Sequence, residues 1–180
     1  MKDKNAAART QAQAQLNSIK AMVAALLCNY DRLEELKDEK GELEAAYTEG
    51  TDETEIDEAA RALEAWNEEN GEELADLVEE AGECTDADDA RQRIEEDPLS
   101  IQVRGDWHSV GEESEDVEFE ILLCTGGPAC KIVGELGNGN EPDRARLMYQ
   151  DWFTPWEELV TTGSDNEALI EYCRTFYFGD

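Results

Sequence analysis

Residues 117–136 read Val117-Glu118-Phe119-Glu120-Ile121-Leu122-Leu123-Cys124-Thr125-Gly126-Gly127-Pro128-Ala129-Cys130-Lys131-Ile132-Val133-Gly134-Glu135-Leu136. Two apolar runs flank a Gly-Gly-Pro, the pattern of strands joined by a turn. Ile121, Leu122 and Leu123 stand side by side, which predicts a strand buried on both faces and a sheet covered on at least one side. Leu99–Val103 upstream and Ala145–Trp152 downstream are further short runs, and Gly137-Asn138-Gly139-Asn140 is a second hairpin signal. Thr154-Pro155-Trp156-Glu157 predicts a covering helix, with threonine as cap and proline at the first helical position. Ser164-Asp165-Asn166-Glu167 gives the last helix a similar start, and Leu169, Ile170, Cys173, Phe176 and Tyr177 recur there at helical spacing.

Before Pro98 the period is that of helices. Leu16, Ile19, Val23, Leu26, Tyr30 and Leu33 alternate steps of three and four, a heptad-like seam within about Asn5–Tyr47 that could zip copies together. Its register shifts at Leu36 and runs on through Leu43 and Tyr47, as in a packed helical hairpin. Gly50 is a helix terminator. A second helix is predicted over Thr54–Ala81, with Ile56, Ala60, Leu63, Trp66, Leu74, Leu77 and Val78 on one face, and Asn70-Gly71 is a point at which it could divide. A third, short helix is predicted after Thr85 as N-cap, ending before Pro98. The fold class is therefore α+β. A helical, strongly acidic hairpin or bundle over 1–97 precedes an antiparallel sheet with one or two covering helices over 98–180.

The charge is the most informative feature. With 46 acids against 15 bases in 180 residues, the net charge is −31 and the pI near 4.1, which excludes a basic nucleic-acid-binding surface. Residues 1–48 hold eight acids and seven bases, a net of −1, whereas 49–89 hold eighteen acids and only Arg61, a net of −17. Residues 90–180 carry the remaining −13, spread over strands and loops. On a helical wheel, Glu58, Glu68, Glu72, Asp76, Glu79 and Glu83 fall opposite Leu63, Trp66 and Leu74 as one solvent-facing stripe. Were the whole acidic segment helical, it would present roughly one net charge per 3.5 Å, close to the roughly 3.4 Å of one DNA strand. A solvated helix face is the plain alternative. Such a face normally intersperses lysines at i+4, and lysine is absent from positions 41–130. A halophilic origin also predicts an acid-rich surface, but it should acidify the near-neutral first helix as well.

Other chemistry is sparsely represented. No apolar run reaches the roughly 18 to 20 residues of a membrane span, and Met1–Arg9 lacks the apolar core of a signal peptide, so a cytoplasmic location without membrane contact is expected. Cys28, Cys84, Cys124, Cys130 and Cys173 form no CxxC pair and read as reduced, mostly buried thiols. Only His108 could supply an imidazole, so neither a metal site nor a His-based catalytic set is expected. The glycine-rich Gly126-Gly127-Pro128-Ala129 has no following helix and no P-loop lysine, so it reads as a turn. Cys124 and Cys130 flank it and could face one another across a hairpin. Among 46 acids any carboxylate pair could be drawn, and none carries information. Tyr149, Trp152, Phe153 and Trp156, with Trp107 and His108, form the densest aromatic group; most should be core. Trp107, Trp152 and Trp156 are the candidates for an aromatic interface.

The stretches Glu118–Ala129 and Tyr149-Gln150-Asp151-Trp152-Phe153-Thr154-Pro155-Trp156, with the ending Tyr172-Cys173-Arg174 to Phe176-Tyr177-Phe178-Gly179-Asp180, resemble a C-terminal module of uncharacterised phage and prophage proteins. The resemblance covers roughly residues 99–180 and brings no catalytic residue with it. It implies a phage setting, in which a small, strongly acidic protein resembles the DNA-mimic and anti-CRISPR class of inhibitors. The expected function is then a non-enzymatic, cofactor-free inhibitor whose stripe occupies a basic nucleic-acid channel of a host CRISPR effector or, as second choice, of a restriction enzyme, without binding nucleic acid itself. The alternative is a phage structural or assembly protein that forms a homodimer or larger oligomer through the Leu16–Leu33 seam.

Overall fold

A computed structural model describes residues 5–105, 107, 109–111 and 116–179. His108 lies outside them. Four helices come first: α1 (Ala6–Leu27), α2 (Tyr30–Glu49), α3 (Glu53–Ala81) and α4 (Ala87–Glu96). Strands β1 (Ser100–Gly105), β2 (Asp116–Cys124), β3 (Ala129–Leu136), β4 (Pro142–Gln150) and β5 (Glu157–Glu158) follow, and α5 (Gly163–Arg174) closes the chain. The fold is α+β, helices followed by an antiparallel sheet. No helix among the described residues is long and apolar enough to cross a membrane.

The chain does not divide at 97/98. Described residues up to Val23 group with those from Ala90 onward as one compact unit, and Ala24–Asp89 form the other. The physical reason is the apolar stripe of α1, which begins earlier than the seam suggests. Ala8, Ala12, Leu16 and Ile19 are all buried, in steps of four, four and three. This same burial removes Leu16, Ile19 and Val23 from any interchain seam, because they already belong to the core of the single chain. The seam is also broken: α1 ends at Leu27, and Asn29 caps α2 by accepting from Arg32 N at 3.1 Å. Leu33 is buried and Leu26 and Tyr30 are half-buried, the last two being the only seam members left partly open.

In the first unit the strands form a meander in the order β1-β2-β3-β4-β5, every neighbour antiparallel. Alternation sorts the side chains. Phe119, Gly134 and Ala145 are in register on one face, as are Ile121, Ile132 and Leu147, and all are buried. Leu122 is half-buried, in register with Lys131 and Met148 on the other face, so β2 has one buried face instead of the expected two. Gly134 is required: a Cβ there would collide with the Phe119 ring and the Arg144 carbonyl. Phe119 in turn packs on Phe178, ring centroids 4.7 Å apart.

The helices of this unit are tied down by polar contacts. α5 packs on β4. Asn5 Nδ2 donates to Glu157 Oε1 (2.6 Å), Arg9 Nε to the Tyr149 hydroxyl (3.1 Å), and that hydroxyl to Glu157 Oε2 (3.0 Å). The buried Tyr172 donates to Asp97 Oδ2 at 2.6 Å, and burial pushes its phenol far up. The cap of α5 is Thr162, two residues before the expected Ser164, in a capping box with Asp165. At α4, Asp86 accepts from Asp89 N and the Asp89 carboxylate accepts from Thr85 N, so the cap falls one residue after the predicted Thr85. The helix predicted at Thr154-Pro155 does not form. Thr154 Oγ1 instead closes a turn on Asp151, accepting from its N–H and donating to its carbonyl. Glu157 and Glu158 then pair with Tyr149 and Met148 as β5.

Lys20 Nζ lies 2.8 Å from Asp165 Oδ1. That bond first, then the Thr162 backbone and hydroxyl, hold the Asp165 carboxyl down to about 2. A depressed carboxyl stabilises the fold above its unfolded value of about 3.9, and the contribution disappears as pH falls through the folded value. We therefore expect Asp165→Asn to melt below the wild type at neutral pH, with the gap closing between about pH 4 and pH 2. A gap constant over that range in melting curves would mean that Asp165 is not the titrating anchor.

Ala24–Asp89 are organised around α2 and α3. Cys28, Leu33 and Ala81 form its buried cluster, with Tyr30, Leu74 and Leu77 packed against them. Burial pushes the Tyr30 phenol up to about 12. Leu36 is fully buried, whereas Tyr47 and Ile56 near the connecting turn are largely exposed. The turn is built by Asp52, which accepts from Thr54 N and Glu55 N, and by Thr51, whose N–H and hydroxyl donate to Glu55 Oε2. These two bonds pull the Glu55 carboxyl below the usual range. α3 runs unbroken through Asn70-Gly71, so the division allowed for there does not occur.

Candidate partner-binding face

α3 carries twelve acids and one base, Arg61, a net of −11. At about 1.5 Å per residue that is roughly one net charge per 4 Å of axis, a looser spacing than the sequence estimate because Glu49, Asp52, Glu83, Asp86, Asp88 and Asp89 of the acidic segment lie outside α3. Packing sets which carboxylates remain outward. Arg32 of α2 reaches Glu73 through Nε and Nη2, both at 3.0 Å, and Glu35 at 2.8 Å. The guanidinium holds the Glu73 carboxyl down, and the two carboxylates push Arg32 up. Further along, Trp66 Nε1 donates to Glu39 Oε2 at 2.9 Å. These two contacts, with Leu36 buried and Leu63, Leu74 and Leu77 half-buried, fix the rotation of α3 against α2.

Glu58, Glu68, Glu72, Asp76 and Glu79 all lie exposed on the remaining face. At 100° per residue they fall within an arc of about 80°, and Glu68 to Glu79 span about 16 Å of axis. Glu83 leaves this row. α3 ends at Ala81, Gly82 turns the chain at φ +57, and only then does Glu83 follow. Of the twelve carboxylates on α3, Glu73 is clamped by Arg32, Asp57 lies 4.0 Å from Arg61, and Glu55 is held by Thr51. The other nine have no hydrogen-bond or ion-pair partner among the described residues. Like charges at i,i+4, such as Glu68/Glu72 and Glu72/Asp76, each cost about 0.2–0.5 kcal/mol of helix stability.

The three tryptophans separate. Trp107 is fully exposed, and Trp152 is mostly exposed, its indole lying over Gly127 and leaving no room for a side chain there. Trp156 is half-buried with Lys131 Nζ 4.5 Å from its ring centroid, and that Nζ also bonds Glu120 at 2.6 Å, so Trp156 serves the sheet and not an open interface. Phe153 belongs to the aromatic group of the sequence but not to its interface candidates. It is fully exposed and held at φ +61, a backbone region that bulky side chains rarely adopt.

Cys124 and Cys130 are cross-strand partners, and both are free thiols. Burial, with Cys124 beside it, pushes the Cys130 thiol up to about 12, so it stays protonated and is a poor nucleophile at neutral pH. The buried Cys173 is pushed up likewise. What the sequence does not disclose is the interhelical pairing Arg32–Glu73 and Trp66–Glu39. Both depend on how far α2 and α3 slide past one another, which no periodicity within one helix encodes. No family model, curated protein or solved structure matches the chain.

Proposed function

We propose that the protein is a phage inhibitor without catalytic activity, of the anti-CRISPR type, which inserts the exposed face of α3 into a basic nucleic-acid channel of a host defence effector. The observation that carries this reading is the row of carboxylates from Glu68 to Glu79, without partners among the described residues, on a helix clamped from its opposite side. An acid row that repels itself lowers the stability of the free protein, and a cationic channel relieves that repulsion. Glu68, Glu72, Asp76 and Glu79 stand in for phosphates, and Glu58 stands apart from them on the same face, beyond Arg61 and Ala65. Association is steered by the long-range field and weakens with salt.

The test is a pull-down with the full chain from lysate of a CRISPR-bearing host at low salt, washed at about 0.15 M and again at high salt. Capture of a nucleic-acid-binding effector that DNA and high salt both release is the expected result. Capture that DNA leaves intact, or of nothing but further copies of the chain, overturns the proposal.

A further inference from the structure

The two edges of the sheet are treated differently. β5 is two residues long and both are glutamates, a short, charged edge of the kind that discourages strand addition. β1 is six residues long, exposed over almost its whole length, and free of lysine and proline. Its single charge, Arg104, is engaged by Glu118 of its own chain, and its only irregularity is the register shift at Arg104/Gly105, at the strand's end. In register with Ile121 and Phe119 on the buried face, Ile101 and Val103 remain 39% and 43% exposed, and Leu99 is 59% exposed. Leu99–Gly105 contains no acid in a chain of net −31.

We propose that this edge pairs antiparallel with the same edge of a second copy, about a two-fold axis at Gln102. That register sets Ile101 opposite the second copy's Val103, Ser100 opposite its Arg104 and Leu99 opposite its Gly105. It joins the apolar rows of the two copies on one face and places no like charges opposite one another. Charge selects this occupant: two chains of −31 repel least where neither carries an acid. Glu118 and Glu120 on the adjacent strand β2 would lie three strand spacings from their counterparts, about 14 Å, beyond the Debye length of about 8 Å at physiological salt. Self-association through β1 therefore strengthens as salt rises, the opposite sign to insertion of α3 into a basic channel. The inference goes beyond the inhibitor reading and is tested without an effector.

Sedimentation velocity of the full chain at low and high salt is the experiment, with Ile101→Lys/Val103→Lys as the disrupting variant and Val160→Lys, at an exposed site near β5, as control. The expected result is a dimer that tightens with salt in the wild type and control and is weakened at least tenfold in the double variant. A wild type that stays monomeric at both salts, or a double variant that dimerises like the wild type, overturns it. Amide exchange of the wild type guards against a variant that fails to fold: protection of Leu99–Gly105 should rise with protein concentration. Exchange there that is independent of concentration overturns the proposal equally.

Discussion

Ile19→Asp is expected to leave no folded protein at room temperature. Ile19 is fully buried on α1, in line with Ala8, Ala12 and Leu16, and nothing on that stripe could neutralise a carboxylate. Placing an unpaired charge in a core is among the few single changes that exceed about 4 kcal/mol, against a total stability of about 5–15 kcal/mol. Ile19→Val removes one methylene and should cost only about 0.5–1.5 kcal/mol, with the protein remaining cooperative in urea. Circular dichroism and urea titration separate the outcomes. A folded Ile19→Asp chain that had lost only self-association would restore α1 as an interchain seam.

Reversing Glu58, Glu68, Glu72, Asp76 and Glu79 to lysine is expected to have the opposite profile: no loss of stability, and loss of function. Each substitution changes the charge by two, so the chain goes from −31 to −21. The side chains are exposed and have no partner among the described residues; the pairs 68/72 and 72/76 stay like-charged, while lysines at 68, 76 and 79 exchange i,i+4 repulsion from Glu64, Glu80 and Glu83 for attraction. Melting temperature should hold or rise. If each carboxylate contributes about 0.5–1 kcal/mol to binding a cationic channel, five together amount to about 100-fold or more in affinity. Reversing the equally exposed Glu141 and Asp143 is the control and should leave affinity within a few-fold. Inhibition unchanged by the five reversals would make the row ordinary solvated surface.

Much of the fold was legible because it rests on local signals. The strand pair around Gly126-Gly127-Pro128 and the period of α3 through Leu63, Leu74 and Leu77 appear where the sequence places them. The misreadings share one cause, a local motif with two structural uses. Thr154-Pro155 suits a helix start, yet the same hydroxyl satisfies Asp151 in a turn, and the chain beyond pairs as β5. The Leu16–Leu33 steps suit a coiled coil, yet the same stripe serves an internal core, and the Cys28-Asn29 break shows only once the helices are placed. Of the candidate face, the exposed row was readable from 100° periodicity. The end of α3 at Gly82, which removes Glu83, was not, because a wheel presumes a helix that continues.

The grouping of the described residues up to Val23 with those from Ala90 onward also sets an order of events during synthesis. The apolar stripe of α1 leaves the ribosome before any strand of its sheet exists, and its partners are contacts of very long sequence separation, which form late. After α2 the −17 stretch of 49–89 emerges, and its mutual repulsion should keep nascent chains dispersed while the stripe is uncovered. On the function proposed above, the charge would thus act twice in the life of the molecule: it disperses the unfinished chain from its neighbours, and later it presents the finished one to a cationic partner.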